Sequence, residues 1–529
     1  MTGPDAAPPA DLPAETPGLL SRVLRRWTLL LALSWTIGGA LYLSIPPSLD
    51  QFSHGYFGWR VAQGDVPYRD FLDMNWPGVM GLHALSSALF GNHLWSWRCL
   101  DFLLLALNAG FLFGLVSRSA GRDAARLAVV LLPLLYASLS SWVPGQHDMS
   151  AGQFLLGALW FHTRGYERGR SRWQIGTGVF LAAAMLNKPT VGIIGLLFPL
   201  QALWCKASLR STVLQTAVAG ITSVATLALA FALVLARGST GGEIRDAIYT
   251  FNVETQFMGA LPISVMTTKA LFFHARWWPV LVLGSVPAVL WLLQRPNRSV
   301  ASTALPLLWL TGILSYFIQR RAMGYHLSPS VLALCGCVPI SIALLASDRW
   351  GLGSGAWRKR ISAAACVLVL AGCAVKLATF FAPLGSALLA RDMSRYWATY
   401  FTDRNLSISD SLAFVERLKA RPPGEPVFVV GFDNSINYLS RHPQPTRFYL
   451  FSIIHLTRPP LSMADRWVEF WESDLKRARC RYALISKQVR TEWLDGDTRA
   501  ARALREFLKA YRSTGFLGKD DAYEIYERD

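Results

Sequence analysis

The sequence is short of charge. Asp, Glu, Lys and Arg together make up 16% of its 529 residues, where a soluble domain carries about 25%. An ordinary cytosolic enzyme is excluded on that ground. Cysteine is scarce too, at seven residues. Cys99, Cys205, Cys335, Cys337, Cys366 and Cys373 lie in or beside apolar segments, and Cys480 stands alone in the polar tail. That excludes a disulfide framework, and no CxxC or Cys/His spacing marks a metal centre. No GxGxxG or GxxxxGK[ST] nucleotide fingerprint occurs. Neither does a solenoid-length repeat, a heptad period or a collagen-like triplet.

What is present in excess is apolar surface. Hydrophobic residues reach 52%, with 20 Trp and 28 Phe, a composition suited to lipid contact and interfacial anchoring. Disorder of the bulk is excluded by the same figure. Lys and Arg exceed Asp and Glu by 52 − 34 = 18. Their clustering in short loops between apolar runs is the pattern of cytoplasmic loops, not of a nucleic-acid face. The expected class is mostly α: a polytopic membrane protein of about eleven transmembrane helices with a small C-terminal extracytoplasmic α/β domain.

Residues 1–20 are Pro/Ala-rich and read as a disordered cytosolic leader. Residues 21–384 carry the spans, at about 27–45, 96–116, 126–142, 149–163, 174–188, 190–205, 212–236, 277–294, 301–318, 328–346 and 361–383. Arg22, Arg25 and Arg26 share a parity with Arg118, Arg122 and Arg126, with Arg164, Arg168, Arg170 and Arg172, and with Lys206 and Arg210. Arg295, Arg298, Arg358, Lys359 and Arg360 continue the series. The positive-inside rule then puts the N-terminus in the cytoplasm and the C-terminal domain outside. Loops 46–95, 142–148, 237–276 and 319–327 face outward. The apolar stretch Gly78–Leu94 is too short to span and reads as an interfacial or re-entrant helix. Residues 385–529 form the outer domain. Its expected strands are Pro426–Phe432, Arg447–Ser452, Tyr482–Ser486 and Ala522–Tyr526. Its expected helices are Ser409–Ala420, Ala464–Ala478 and Asp497–Tyr511. The arginines of the last helix, Arg499, Arg502 and Arg505, read as a solvated face.

The first outer loop, 46–95, is the polar hot spot. Asp50, Arg60, Asp65, Arg69, Asp70 and Asp73 crowd into 24 residues. A carboxylate at the membrane surface serves as a general base on a hydroxyl when geometry and pKa suit. Solvated loop charges and helix caps are the alternative. In the second outer loop, Asp148 is either a helix N-cap or a contributor to the same cavity. Lys188, in Asn187-Lys188-Pro189, is expensive at membrane depth and therefore a functional candidate, or else snorkels to the interface. Arg320, Arg321 and His326 sit outside, against the charge bias. Phosphate recognition and anionic headgroups both account for the two arginines. The loop 237–276 is long enough to form a lid.

The string Asp50 … Ala62-Gln63-Gly64-Asp65-Val66-Pro67-Tyr68-Arg69-Asp70-Phe71 … Trp76-Pro77-Gly78 resembles the first periplasmic loop of GT-C glycosyltransferases. Within them it is similar to the branch of protein O-mannosyltransferases and lipid A aminoarabinose transferases (glycosyltransferase family 39-like). The likeness covers residues 20–205 well and the later helices in layout only. It implies Asp50 as the catalytic carboxylate, with Tyr56, Arg69 and Asp70 supporting the first loop. It also implies Asp148 as an acceptor or metal ligand, and Arg320, Arg321, Lys188 and His326 as donor-phosphate contacts. Two departures stand out. Gln51 replaces the usual Glu, and Asn75-Trp76-Pro77-Gly78 replaces a Lys-Pro-Pro element.

The resemblance implies a multi-pass inner-membrane glycosyltransferase. It would move a sugar from a polyprenyl-phosphate donor to a glycan, lipid or protein acceptor on the periplasmic face, with inversion. A lipid-borne donor fits the lack of a nucleotide motif. No cofactor is required; a divalent cation (Mg or Mn) at Asp50 and Asp148 stays open. No nucleic-acid partner is expected. The rival class is a transporter or flippase of lipid-linked saccharides, which would show inverted repeats and midplane breaks. A non-catalytic assembly scaffold is the third reading, against which the acidic first loop argues.

Overall fold

The computed structural model describes residues 26–139, 142–254, 260–277, 279–294, 299–346, 355–399, 402–403, 406–431, 434–448, 462–494, 496–518 and 521–528. The expected leader, 1–20, lies outside them.

The chain enters as α1 (Trp27–Ser44), an apolar run halted by Ile45-Pro46-Pro47, where proline removes donors and disfavours a helical predecessor. Ser48 then starts a new helix through a capping box with Gln51. This α2 (Leu49–Ala62) occupies a stretch expected to be loop. The alternation of Asp, Ser, His and Arg with aromatics hides its helical period, and the cap at Ser48 is the signal for it. After the loop 63–76 comes α3 (Pro77–Phe90), with Pro77 in its first turn and Gly91 ending it.

The bundle continues as α4 (Ser96–Ala120), α5 (Arg122–Ala137), α6 (His147–Arg168) and α7 (Trp173–Asn187). A 3₁₀ turn (Pro189–Ile193) leads into α8 (Ile194–Trp204) and α9 (Leu209–Ala236). Then follow α10 (Ile263–Trp277), α11 (Pro279–Gln294), α12 (Val300–Gln319), α13 (Ser328–Ala346) and α14 (Gly355–Leu389). Each span expected from the sequence falls on helix. By length and composition alone, six helical segments among the described residues are able to cross a membrane. Five of the eleven expected spans are not matched on that criterion: α5, α7, α8 and α11 are shorter than the roughly 20 residues a span needs, and α6, long enough at 22 residues, is too polar. Large exposed apolar side chains such as Leu103, Leu107, Val213, Ile221 and Leu229 give α4 and α9 a lipid-compatible outer surface.

The segment 237–276 is more ordered than a plain loop. A capping box at Thr240 and Glu243 opens a helical turn, Gly241–Arg245, that runs on through Asp246–Thr250, and α10 fills its second half. Helix α14 also runs past residue 385, so the change of character lies beyond Leu389.

The C-terminal domain is built on a four-stranded mixed sheet of order β3-β4-β6-β5. Short β1 (Thr402–Asp403) and β2 (Leu406–Ser407) precede it and pair with each other. Strand β3 (Val427–Val430) runs parallel to β4 (Tyr482–Ser486). Strands β5 (Arg512–Phe516) and β6 (Tyr523–Glu527) complete the sheet antiparallel. Helices α15 (Ile408–Leu418), α16 (Ser435–Ser440), α17 (Ala464–Arg477) and α18 (Arg499–Leu508) pack around it. Strand β5 was not expected; its Arg-Ser-Thr-Gly-Phe sequence is exposed and polar, an edge strand without an apolar face. Of the expected strand Arg447–Ser452, Arg447 and Phe448 are not in a strand and the rest lies outside the described residues.

Two large cores result. One fills the bundle with Leu112, Leu132, Leu155, Leu308 and Leu332. The other joins Phe52, Tyr56 and Trp59 of α2 and Tyr68 of the first loop to Phe428, Tyr438, Trp467 and Trp471 of the C-terminal domain.

Candidate active site

The site is assembled around the N-terminus of α2. Below it lies a buried charge network. The Arg98 guanidinium is fully buried and donates to the carbonyls of Pro144 at 2.8 Å and Pro46 at 3.0 Å, and to the Tyr42 hydroxyl at 3.0 Å. Tyr42 and Tyr136 both donate to the Asp101 carboxylate, and Gln153 reaches its other oxygen at 3.2 Å. Helices α1, α4, α5 and α6 are thereby fastened together just where the chain turns into α2. Gln51 adds a bond of 3.0 Å to the Pro144 carbonyl, and Gln146 donates to Ser48 at 2.9 Å. The Gln at position 51 is thus a buried brace.

On its side, α2 lies hard against α3. A Cβ placed on Gly58 would come within 2.4 Å of the His83 carbonyl carbon, so only glycine allows this crossing. On this helix Asp50 and His54, four residues apart, share one face.

That face looks onto a polar enclosure. Tyr325, in the 3₁₀ turn Gly324–Leu327, hydrogen-bonds Asp50. Lys188, at the break between α7 and the 3₁₀ turn after it, places Nζ 3.2 Å from Asp148 Oδ2 and 3.2 Å from His147 Nε2. His147 Nε2 is 3.1 Å from the same Asp148 oxygen. Asp148 stands in the first turn of α6, while Gln146 takes the cap position. From the first loop, Asp73 accepts from Asn75 at 2.9 Å, and Asn75 Nδ2 lies 3.2 Å from His54 Nε2. The His54 ring meets those of His83 at 5.5 Å and His147 at 5.3 Å. Asp50, His147, Lys188, Arg321 and Tyr325 keep partial exposure, whereas His54, Asp73, Asp148 and His326 are buried. The first set forms an open rim and the second a closed back wall. Several buried wall atoms have no protein hydrogen-bond partner: His54 Nδ1, Asp73 Oδ2, Asp148 Oδ1 and His326 Nδ1. Buried polar atoms in that number call for water or a polar ligand among them.

The electrostatics follow from this crowding. Burial pushes the Asp50 carboxyl up to about 6, opposed by the Tyr325 hydrogen bond and the Lys188 charge and reinforced by Asp148. Burial likewise lifts Asp73 to about 6, against the hydrogen bonds from Asn75 and Met74 and with Asp50 adding to the rise. His54 is driven well below the ordinary imidazole range by burial, then by His147 and Lys188. At neutral pH the enclosure therefore holds ionised Asp50 beside neutral His54, a suitable state for a general base.

Of the residues singled out from the sequence, Asp50, Asp148, Lys188, His326 and Arg321 share this neighbourhood; Lys188, Asp148 and Arg321 all act electrostatically on His326. Arg320 diverges from its neighbour. It is exposed, and its Nε and Nη2 donate to the Leu261 carbonyl at 3.1 and 2.9 Å. Tyr56, Arg69 and Asp70 stand apart as well. The Tyr56 hydroxyl accepts from Arg60 at 2.6 Å and from the Gln444 amide at 2.8 Å. Arg69 pairs with Asp70, which also accepts from the Val66 amide at 2.8 Å. Sequence reasoning did not single out Tyr325, His54, His147 or Asn75. His54 would have followed from its spacing to Asp50 had α2 been read as a helix. The i, i+3 pair Arg98 and Asp101 inside an apolar run was the available signal for the network below. As for a cation, among the described residues no three His, Cys, Asp or Glu side chains converge to hold one. The Lys188 ammonium already stands against Asp148. The donor set does not fit a divalent ion.

The architecture and parts of the sequence have relatives. Residues 77–236 match the family described as Dolichyl-phosphate-mannose-protein mannosyltransferase; this segment holds Asp148 and Lys188 but not Asp50. No curated protein matches the chain in sequence. In structure the chain is similar to ArnT from Cupriavidus metallidurans bound to undecaprenyl phosphate, with a TM-score of 0.57 at 14% identity over 94% of this chain and 97% of that one. The apo form of ArnT gives 0.58 at 14% identity, over 95% and 98%. AglB, the oligosaccharyltransferase of Archaeoglobus fulgidus in complex with an inhibitory peptide and a dolichol-phosphate, gives 0.51 at 10% identity, over 95% of this chain and 75% of that one. At such identities the likeness is one of fold: the chain folds as ArnT and AglB do.

Proposed function

We propose that this protein is an integral-membrane glycosyltransferase. It takes a sugar from a polyprenyl-phosphate donor and delivers it to an acceptor hydroxyl on the outer face of the membrane, with Asp50 as general base. The observation that carries this reading is the half-open Asp50 carboxylate, raised to about 6 and facing the Lys188 ammonium across one enclosure. A base and a phosphate-binding cation are the two groups such a displacement needs. The ArnT and AglB structures, as their descriptions state, hold undecaprenyl phosphate and a dolichol-phosphate in the same fold.

In the reaction, Asp50 accepts the proton of the acceptor hydroxyl. The acceptor oxygen bonds to the anomeric carbon as the bond from that carbon to the lipid phosphate breaks. A single displacement inverts the anomeric configuration. The electron pair leaves with the phosphate, whose added charge Lys188 and Arg321 stabilise. Asp148 holds Lys188 in place beforehand. Arg118, Arg126, Arg168 and Lys206 lie at helix ends away from this enclosure. The positive-inside rule then sets the N-terminus in the cytoplasm and the site with the outer domain outside, in the inner membrane of a bacterium.

The test uses full-length protein in nanodiscs with a panel of undecaprenyl-phosphate-linked sugars and extracted envelope acceptors. Products of wild type and Asp50→Asn are compared by mass spectrometry. General-base help is worth about 10²–10⁴-fold, so the variant should lose at least that much. A variant with the wild-type rate would remove Asp50 from the mechanism. Lipid binding without sugar consumption in either protein, together with leaflet-to-leaflet movement of the donor, would make the protein a flippase instead.

A further inference from the structure

The face of α2 opposite Asp50 is not turned to solvent. It forms the membrane-side wall of the core shared with the outer domain. Gly55 lies under the Tyr438 ring of α16, so close that a Cβ there would sit 3.2 Å from two ring carbons. The Tyr56 hydroxyl accepts from the Gln444 amide at 2.8 Å. Both contacts are anchored in the sheet. The Asn437 side chain, next to Tyr438, donates to the carbonyls of Val427 and His442 at 2.8 and 2.9 Å. The Gln444 side chain accepts from the Val429 amide and donates to its carbonyl, at 3.0 and 2.6 Å. Strand β3 therefore grips α2 through two short chains of contacts. Two further bonds tie the flanks of the site to the same domain. Asn92 donates to the Tyr438 carbonyl at 2.9 Å, and the Leu72 amide, beside Asp73, donates to the Arg447 carbonyl at 2.8 Å.

From this geometry we propose that the outer domain is the positioning element of the active site, with Tyr438 the residue that sets the height and tilt of the helix bearing Asp50. The inference rests on the reading of Asp50 as the base. Tyr438 touches no reacting atom; it acts through Gly55. The bundle fastens the first turn of α2 at Ser48 and Gln51, and α3 supports it at Gly58. Tyr438 closes the side that neither reaches. A reacting group displaced by about 1 Å can cost on the order of 10²-fold in rate. A domain that grips the helix carrying the base thus controls turnover without meeting substrate.

The experiment compares wild type, Tyr438→Phe, Tyr438→Ala, Gly55→Ala and Asp50→Asn, all full length in nanodiscs. The first readout is labelling of Asp50 by dicyclohexylcarbodiimide, which reacts with protonated carboxyls, as a function of pH. The second is sugar transfer in the panel assay, and the third is binding of undecaprenyl phosphate. Wild type and Tyr438→Phe, which keeps the ring, should label with a midpoint near 6. In Tyr438→Ala the midpoint should fall by about one pH unit as the freed helix lets water reach Asp50. Transfer should drop at least tenfold in kcat, with lipid binding unchanged. Gly55→Ala pushes the ring from the other side and should lower kcat by a smaller factor; it serves as the decisive variant if Tyr438→Ala does not fold. An unchanged midpoint and rate in the folded variant overturns the inference. So does a rate loss that goes with equal loss of lipid binding and no midpoint shift, which marks general damage. Failure of the base reading is seen separately, as retained transfer in Asp50→Asn.

Discussion

Asp50 is held in a state the fold itself opposes. Burial raises its carboxyl to about 6, above the usual carboxylate value, so the folded protein binds a proton that the unfolded chain releases. The sign for stability follows: this contribution is most favourable at low pH and is lost as pH rises through about 6. The sign for activity is opposite, because a base must be ionised. The rate with saturating donor should be flat above about 6 and fall roughly tenfold per pH unit below it, as a pH–rate profile would show. Asp50→Asn should then combine loss of transfer with a gain in stability at neutral pH, on the order of 1–3 kcal/mol. A thermal midpoint equal to or below wild type at neutral pH would contradict that. Asp50 was singled out through the resemblance of its loop to that of the GT-C glycosyltransferases, since several carboxylates share that loop and spacing alone does not choose among them. Tyr325 was not, since its role depends on a 3₁₀ turn that brings it across the enclosure from a distant segment.

Among the elements, two cations, Arg98 and Lys188, hold the enclosure together. Removing one member of a buried pair leaves the other uncompensated, typically at about 3–5 kcal/mol. Arg98→Met takes the compensating charge away from the neighbourhood of buried Asp101 and leaves the Tyr42 hydroxyl and the Pro46 and Pro144 carbonyls, from which α2 takes its position, without their donor. The expected result is a loss of that order in unfolding free energy, read by denaturant titration, with α2 proteolysed sooner than α9. Lys188→Met strands Asp148, which is almost fully buried. The expected outcome is a lower thermal midpoint together with weaker undecaprenyl phosphate binding, by isothermal titration. Binding at wild-type strength would assign Lys188 to structure alone. At this scale the long helices were legible from apolar runs and from the arginines between them. Helix α2 was not, since its buried residues include Gln51, Ser53 and His54 and its polarity reads as a loop. Strand β5 was missed for the opposite reason: it buries little of itself and rests on its bonds to β6.

Taken whole, the molecule joins an apolar helical bundle to a C-terminal α/β domain through a core that neither part completes alone. Phe52, Tyr56 and Trp59 belong to the helical half, and Phe428, Trp467 and Trp471 to the C-terminal half. Each fully buried aromatic of this kind contributes roughly 1.5–3 kcal/mol by leaving water. A chain truncated after Leu389 should therefore expose an aromatic wall and fail to give monodisperse protein in detergent, as size-exclusion chromatography would show. The sequence announced both halves through their contrasting patterns. It carried no sign of their junction, because contacts such as Gly55 with Tyr438 join residues hundreds of positions apart. That separation has a consequence in time. Helix α2 leaves the ribosome early, and the strands that complete its support leave last. At about 5–20 residues per second the interval is on the order of a minute. Throughout it the newborn helix α2 has its aromatic face uncovered, and it gains its full support only once the end of the chain has been made.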